Sequence, residues 1–255
     1  MVSKRTRELT SFIVMDVLEK AKEMERRGVH VIHLEVGEPD FDAPACVKAA
    51  ACRALEEGHT HYTHSMGNFE LREAIAHYYR GTYGVSVEPE QIIVTSGSSP
   101  AILLVFSALL DPGDEVIISD PHYACYPNFI KFVQGVPVSV PVFEEDGFQF
   151  RPEAIREKIN ARTKAIFINS PSNPTGNLLS AERMQEIAEM AAGPDAPMIV
   201  SDEIYHGLVY EGQDHSILEF TDRAFVLNGF SKLYAMTGLR LGYVIAPPAL
   251  IRPMQ

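Results

Sequence analysis

The stretch QIIVTSGSSPAILLVFSALL, residues 91–110, contains the pattern that decides the fold. It opens with a β-branched run of strand type, turns through small residues at 96–99, and continues as an apolar helical segment. Pro100 falls in the first turn of that segment, where its fixed φ favours a helix and its missing N–H removes no hydrogen bond. The stretch therefore predicts a strand, a tight turn and a helix, which together form the repeating unit of an α/β domain.

Five more β-branched runs follow this unit and repeat its pattern. Most of them are separated by helical segments, and this alternation predicts a mostly parallel sheet flanked by helices on both faces. Upstream, we expect an amphipathic helix before residue 28 and a further short strand in VIHLEV at 31–36. The five runs are EVIIS (115–119), VPVSVPV (136–142), AIFIN (165–169), MIVSD (198–202) and AFVLN (224–228).

The size and composition of the chain exclude several classes of protein. At 255 residues it can bury the core of one large α/β domain without disulfide or metal staples. A net charge of -12 argues against nucleic acid as a partner, because phosphate-binding surfaces need clustered lysine and arginine. The longest apolar stretch, 101–110, is too short to cross a bilayer. We therefore expect a soluble cytoplasmic protein with no membrane partner.

The cysteine and histidine patterns predict neither a disulfide framework nor a metal site. Cys46, Cys52 and Cys125 form an odd set without a CxxC pair, which favours free thiols in a reducing compartment. The run HTHYTH, residues 59–64, lacks the cysteine or carboxylate ligands that usually complete a zinc site. We interpret this run as a solvated loop.

Small polar residues follow the first strand at a point suited to an anion. The carboxyl ends of parallel strands meet at one edge of a sheet, so residues just after each run are candidates for ligand binding. Gly97, Ser98 and Ser99 lie at a helix start, where backbone N–H groups suit a phosphate. Small residues here also suit a tight turn for steric reasons alone. Neither GxGxxG nor GxxxxGK[ST] occurs, so a nucleotide site is not predicted.

Side chains after two later strands combine a carboxylate, a phenol and an amine. Asp202 ends MIVSD, where a buried carboxylate must pair with a cation such as a ring nitrogen, or cap the following segment. Tyr205, three positions later, is either a site phenol or a core aromatic. Lys232 follows AFVLN, either as a half-buried nucleophile toward a carbonyl or as a surface lysine. Arg240 is either a second anion ligand or a surface ion-pair partner.

Over essentially its whole length the chain resembles the class I/II aminotransferases, which are fold-type-I pyridoxal 5′-phosphate enzymes. The resemblance rests on SNPTG (172–176), SDEIY (201–205) and SKLYAMTGLRLGY (231–243), which occur in the family's order and at fitting intervals. It implies an α/β large domain that spans 46–255 and binds the cofactor. Residues 1–45 would then supply the N-terminal helix and segment of a small domain.

The resemblance also assigns cofactor ligands by position. Lys232 would hold pyridoxal 5′-phosphate as a Schiff base, and its freed amine would move the proton between substrate Cα and cofactor C4′. Asp202 would pair with the pyridine nitrogen, and Tyr205 and Asn173 with the ring oxygen. Tyr123, in DPHYACYP, would stack on the ring. The implied phosphate ligands are Gly97, Ser98, Ser99, Arg240 and Ser231.

Substrate and subunit contacts are implied in the same way. Gly37, in VGEPDFD, matches the backbone that approaches the substrate carboxylate, with Asn173 as a second substrate ligand. Tyr62, in HYTHSMGNFELREA, matches the residue that reaches the phosphate of the neighbouring subunit. A homodimer with shared active sites is therefore implied.

The main functional expectation is transfer of an amino group between an amino acid and a 2-oxo acid. A C–S β-lyase of the same fold would use the same lysine and cofactor, and it is an alternative. Family members continue into a C-terminal part of the small domain that carries a substrate-binding arginine, and this sequence has no counterpart of it. A C-terminally incomplete form that binds the cofactor without catalysing the reaction is therefore a further alternative.

Overall fold

A seven-stranded sheet organises the computed structural model, which describes residues 2–3, 6–7 and 9–255. The first six strands coincide with the β-branched runs of the sequence, where side chains stiff at χ1 favour extended backbone. The strands are β1 (Ile92–Thr95), β2 (Glu115–Asp120), β3 (Val136–Pro141), β4 (Thr163–Asn169), β5 (Met198–Asp202), β6 (Ala224–Gly229) and β7 (Gly242–Ile245).

The strands lie in the order β1-β7-β6-β5-β4-β2-β3. From β3 across to β6 every neighbouring pair is parallel, whereas β7 is antiparallel to both β1 and β6. The predicted mostly parallel sheet is confirmed. Asn169 lies opposite Asp202, and Asp202 opposite Leu227, so β4, β5 and β6 end at one edge of the sheet.

Two of the helices have capping residues that mark where a helix begins or ends. Ser180 accepts a hydrogen bond from Arg183 N at 3.3 Å and so caps the helix that follows it. Gly84 ends another helix in the left-handed conformation, with φ of 69°. The helices are α1 (Ile13–Arg26), α2 (Ala45–Glu56), α3 (Phe69–Tyr83), α4 (Ser98–Leu109), α5 (Tyr126–Phe132), α6 (Pro152–Arg156), α7 (Ala181–Met190) and α8 (Pro248–Met254).

Apolar residues are buried on both faces of the sheet. On one face Ile166 and Val226 pack with residues of α3 and α7. On the other face Phe167 and Val200 pack with residues of α4 and α5. Consecutive residues of β4 thus point into different layers, as the period of two in a strand requires. Burial of each such side chain contributes about 1.5–3 kcal/mol, which fixes the strand register and the edge where the polar residues emerge.

One predicted strand is absent from the described structure, and one observed strand was not predicted. Residues 31–36 form no strand, and Ile32 and Leu34 are 77% and 90% exposed. An extended apolar run becomes a strand only where a neighbour accepts its backbone hydrogen bonds, and none lies alongside this run in the described structure. By contrast, the four residues of β7 carried too short a pattern to be recognised, yet they complete the sheet.

None of the helices within the described ranges is long and apolar enough to cross a membrane.

Candidate active site

The polar residues at the carboxyl edge of the sheet surround a cleft of about 620 Å³. The N-terminal segment 35–38 forms another wall of this cleft. The predicted residues that line it are Gly37, Ser98, Ser99, Tyr123, Asn173, Asp202, Tyr205, Ser231, Lys232 and Arg240. Two predicted residues do not line it: Gly97 lies directly behind, against Arg240, and Tyr62 is fully exposed in the connection between α2 and α3.

One end of the cleft is suited to an anion. The N-terminus of α4 presents Ser98 and Ser99 there, with free backbone N–H groups and the positive end of the helix dipole. Gly97 has φ of +96°, and a Cβ on it would lie 3.2 Å from the Arg240 guanidinium carbon. The guanidinium is held by the Thr237 carbonyl oxygen, which accepts from its Nη1 at 2.7 Å. A residue larger than glycine would push this guanidinium away from the turn. Because glycine lets the cation lie beside the helix N-terminus, this end of the cleft fits a phosphate group.

Lys232 projects into the cleft from the loop after β6. Its Nζ donates a hydrogen bond to the Gly37 carbonyl oxygen at 2.5 Å and lies 5.7 Å from the centre of the Tyr205 ring. Burial lowers the pKa of Lys232; nearby Arg240 lowers it further, and Glu38 opposes the shift. A lowered pKa increases the share of neutral amine, which is the form that attacks an aldehyde.

Asp202 ends β5 as a carboxylate that is 3% exposed. Its Oδ2 accepts a hydrogen bond from the Tyr126 hydroxyl at 2.8 Å, and its Oδ1 accepts one from Ile204 N at 3.2 Å. Burial raises the pKa of Asp202 to about 6, and these two hydrogen bonds oppose the shift. The segment after Asp202 is a turn and not the helix that a capping role would require, and Asp202 lies in the cleft wall.

Asn173 and Tyr205 form a hydrogen-bonded pair beside Asp202. Asn173 Nδ2 donates to the Tyr205 hydroxyl at 3.1 Å, and burial raises the pKa of that phenol. Asn173 N in turn donates to Asn169 Oδ1 at 2.8 Å, while Asn169 Nδ2 donates to the Asp202 carbonyl oxygen at 2.9 Å. The end of β4 therefore fixes the amide and the phenol relative to the carboxylate.

Several cleft residues were missed by the sequence argument, among them Tyr126, Phe12 and His122. Tyr126 is the donor to Asp202, and its spacing of three from Tyr123 could have indicated that both lie on one side of a helical turn. Phe12 meets the Tyr123 ring edge-on at 5.7 Å. His122 lines the cleft and contacts the Ser119 carbonyl oxygen at 2.8 Å. Phe12 carried no local signal, since it reaches the site only through tertiary contacts.

The cleft brings together a half-buried lysine, a helix N-terminus beside an arginine, and a buried carboxylate at the carboxyl edge of an α/β sheet. The family model described as aminotransferase class I and II matches residues 29–255. The chain therefore belongs to the class I and II aminotransferase family.

Relatives of known activity agree with this assignment. The chain is 46% identical to the (5-formylfuran-3-yl)methyl phosphate transaminase of Methanocaldococcus jannaschii, over 98% of this chain and 65% of that protein. It is 43% identical to the aspartate/prephenate aminotransferase of Thermus thermophilus, over 99% of this chain and 66% of that protein. The chain thus spans about two thirds of the length of these relatives.

Solved structures of the family superpose closely on the fold. The aspartate aminotransferase from Thermus thermophilus with maleate matches with a TM-score of 0.95 and 42% identity, over all of this chain and 66% of that one. The alanine aminotransferase from Pyrococcus furiosus matches with a TM-score of 0.92 and 39% identity, over all of this chain and 67% of that one. The predicted fold class is confirmed.

Proposed function

We propose that this chain carries the cofactor-binding part of a pyridoxal 5′-phosphate-dependent aminotransferase. The observation that carries the proposal is the meeting of Lys232, Asp202 and the anion site in one cleft. An aldehyde, a ring nitrogen and a phosphate are the groups that these three elements suit, and the cofactor contains all three. Membership of the family and the names of the relatives support the same activity.

The residues of the cleft fit this cofactor group by group. Lys232 would bond to the aldehyde carbon, Asp202 would pair with the ring nitrogen, and Tyr123 would cover one face of the ring. Asn173 and Tyr205 would both reach the ring oxygen. When bound, the cofactor supplies an electron sink that stabilises negative charge at the substrate Cα. The residues proposed to hold the phosphate are Gly97, Ser98, Ser99, Ser231 and Arg240.

Two side chains would then handle protons. The Lys232 amine, when free, would take the proton from the substrate Cα and return a proton at cofactor C4′, a role that its lowered pKa favours. Asp202, as a carboxylate, would keep the ring nitrogen protonated, and its buried position keeps water from weakening that pairing. The hydrogen bond from Tyr126 would hold the carboxylate in place.

We propose amino acids and 2-oxo acids as the substrates of the complete enzyme. The relatives are named for aspartate, prephenate and a furan phosphate, so their names support the reaction more than any one substrate. Gly37 and Asn173 line the cleft and are the proposed contacts to the substrate. Residues 1–45 are proposed to belong to a small domain, and 46–255 to the large domain.

We further propose a homodimer with shared active sites. Tyr62 is fully exposed in the connection between α2 and α3, which leaves its phenol available to the phosphate site of a neighbouring subunit.

The three cysteines are unpaired, which supports a cytoplasmic location.

The cofactor assignment is tested by borohydride reduction. The purified chain is incubated with pyridoxal 5′-phosphate, reduced, and analysed by intact mass and peptide mapping. We expect one adduct, located at Lys232 and lost in Lys232→Ala. Lys48→Ala, which removes an exposed lysine of α2, should keep the adduct. No adduct, or an adduct that maps to another lysine, would contradict the proposal.

The reaction is tested separately with the complete enzyme. An amino acid alone should convert the bound cofactor to its amine form, and a 2-oxo acid should convert it back. Release of pyruvate and ammonia from a β-substituted amino acid, with no need for an oxo acid, would instead identify a C–S β-lyase.

A further inference from the structure

The segment between α1 and α2 forms one wall of the cleft without regular secondary structure. Residues 30–43, which we call the wall segment, contain neither helix nor strand. Among the described residues they also make no hydrogen bond from backbone to backbone. A stretch without such bonds opens easily unless its side chains hold it in place. The position of this wall therefore depends on side-chain contacts.

Two of these contacts lie at the cleft. Lys232 Nζ donates to the Gly37 carbonyl oxygen at 2.5 Å, and the Thr237 hydroxyl donates to Glu38 Oε2 at 3.2 Å. The first contact competes with the proposed chemistry of Lys232. When an amine condenses with an aldehyde, water leaves and the nitrogen keeps at most one of its three protons. Gly37 therefore needs support that does not depend on Lys232.

His33 connects the wall segment to α1. Its Nδ1 lies 2.6 Å from Glu35 Oε1, and its Nε2 lies 2.9 Å from Glu25 Oε1. Glu35 lines the cleft two residues before Gly37, and its side chain is 10% exposed. Glu25 lies in the last turn of α1, where Lys22 contacts its other oxygen at 3.0 Å. Glu25, His33 and Glu35, which we call the His33 bridge, thus join the helix to the cleft wall.

The geometry of the His33 bridge requires a charged imidazole. An ionised carboxylate only accepts hydrogen bonds, so each ring nitrogen that contacts one must carry a proton. In agreement, the hydrogen bonds with Glu25 and Glu35 raise the pKa of His33, and burial opposes that shift. The contact with His33 lowers the pKa of both glutamates. Among the described residues these are the charged groups that face His33, one from α1 and one from its own segment.

We propose that His33 is a positioning residue that ties the wall segment to α1 and so keeps Gly37 beside Lys232. The His33 bridge belongs to the chain itself and needs no cofactor. Its consequence for the substrate rests on the proposed function, because Gly37 is a proposed substrate contact.

The His33 bridge should weaken as the pH rises. The folded chain holds the proton of His33 more tightly than the unfolded chain does, because folding raises its pKa. The stabilising effect is therefore complete below about pH 6, under the ordinary pKa, and is lost as the pH rises through the higher pKa of the folded state. A neutral imidazole donates to only one of the two carboxylates. The wall segment should therefore open more often in alkaline solution.

The test is limited proteolysis of the cofactor-free chain by chymotrypsin, with the fragments identified by mass. Leu34 and Phe41 are exposed cleavage points in the wall segment, and cleavage there follows the opening of the segment. Rates are normalised to the cleavage of an unstructured peptide at each pH. Between pH 6 and pH 9 the wild-type rate should rise about two- to fivefold, the range for one partly exposed ion pair.

Three variants separate the charge of His33 from its other contributions. His33→Gln removes the charge and should be cleaved at the faster rate at both pH values. His33→Arg keeps a cation at every pH and should be cleaved slowly at both. His30→Gln is the matched control, because it removes an exposed histidine of the same segment and should behave as the wild type.

A wild-type rate that does not change with pH would overturn the proposal, and so would a pH dependence that survives in either variant of His33. Circular dichroism shows which variants fold, and if only one of the two folds, that one decides. If neither folds, the wild type decides: the midpoint of its cleavage rate must coincide with the midpoint of His33 followed by NMR. Two different midpoints would then reject the tie.

The consequence for the substrate is measured separately in the complete enzyme at pH 6. His33→Gln should raise KM for the amino acid about two- to fivefold with a smaller change in kcat, whereas His33→Arg should keep the wild-type KM. An unchanged KM in His33→Gln would reject this consequence. Absence of transamination by the wild type would reject the proposed function and leave the proteolysis result standing.

Discussion

Asp202 shows that a site residue can oppose the stability of its own fold. The carboxylate is buried at the end of β5, and burial raises its pKa to about 6. The folded state therefore favours the protonated acid more than the unfolded chain does. The stabilisation that this preference gives is complete below about pH 4, near the ordinary pKa, and is lost as the pH rises through 6.

Asp202→Asn should therefore stabilise the cofactor-free chain at pH 8, by at most about 3 kcal/mol, and have little effect near pH 4. The amide carries no charge; its one oxygen can accept from Ile204 N, and its nitrogen can donate to the Tyr126 hydroxyl oxygen in place of accepting from it. Urea unfolding at several pH values measures this difference. Asp195→Asn, at an exposed position, is the control and should show no such dependence. A variant that is less stable than wild type at pH 8 would show that burying the charged carboxylate is not the largest destabilising contribution at this position.

Gly97→Ala should weaken binding of the phosphate cofactor and destabilise the fold by about 1–3 kcal/mol. The new Cβ would adopt φ of +96° and displace the Arg240 guanidinium. Gly113→Ala is a matched control, because Gly113 has a similar φ of +92° with nothing within 4 Å of the added Cβ. It shares the backbone strain but should keep cofactor affinity. Equal loss of affinity in both variants would contradict the role of Arg240.

The site could be predicted where a residue follows a strand, and not where a residue lies behind the cleft wall. Lys232 and Asp202 were expected at the cleft because strand ends meet at one edge of a sheet, whereas their roles were implied by the family resemblance. Glu203 and His206 lie in the same segment, but only the tertiary structure shows that they are buried together against Tyr83. Glu203 and His206 are only three residues apart, but their contacts with Tyr79 and Tyr83 cross more than a hundred residues, which a local pattern does not encode.

At the scale of elements, the interior strands were predicted best. A β-branched run such as AIFIN lies between two neighbours and is buried on both faces, so its composition and its structure agree. Residues 31–36 have a similar composition, but no strand pairs with them in the described structure. Whether such a run forms a strand depends on neighbouring strands, which only the assembled sheet supplies.

Ser180→Ala should cost about 1 kcal/mol of stability, because the hydroxyl accepts the otherwise unpaired N–H of Arg183 at the start of α7. Chemical denaturation with circular dichroism measures the loss. Ser86→Ala, at an exposed position outside any helix, should change the stability by less than about 0.5 kcal/mol. Similar effects of the two changes would mean that the cap contributes nothing specific.

At the scale of the whole molecule, the N-terminal segment presents a large apolar surface. Its exposed side chains lie on α1 and on the stretch that leads to the cleft wall. They include Ile13, Val17, Val29, Ile32, Leu34 and Phe41. Exposed apolar side chains of this kind promote association in water when they lie close together.

Replacing Ile32 and Leu34 together by serine should lower the binding of a hydrophobic dye and reduce self-association of the chain at high concentration. The free energy of unfolding should change by less than about 1 kcal/mol, because both side chains are already in contact with water. Dye fluorescence and sedimentation velocity measure the two effects. Leu55→Ser, at an exposed position on α2, is the control for loss of a single apolar side chain. Unchanged dye binding in the double variant would show that the dye binds elsewhere and not to this surface.

The antiparallel strand β7 also has a consequence for how the chain is made. In the sheet, β1 pairs only with β7, and residues 96–241 separate the two strands. At about 5–20 residues per second, a ribosome would take on the order of ten seconds to synthesise the missing neighbour. During that time the backbone groups of β1 bond to water instead of to a neighbouring strand, so this side of the sheet can form only after β7 has been synthesised.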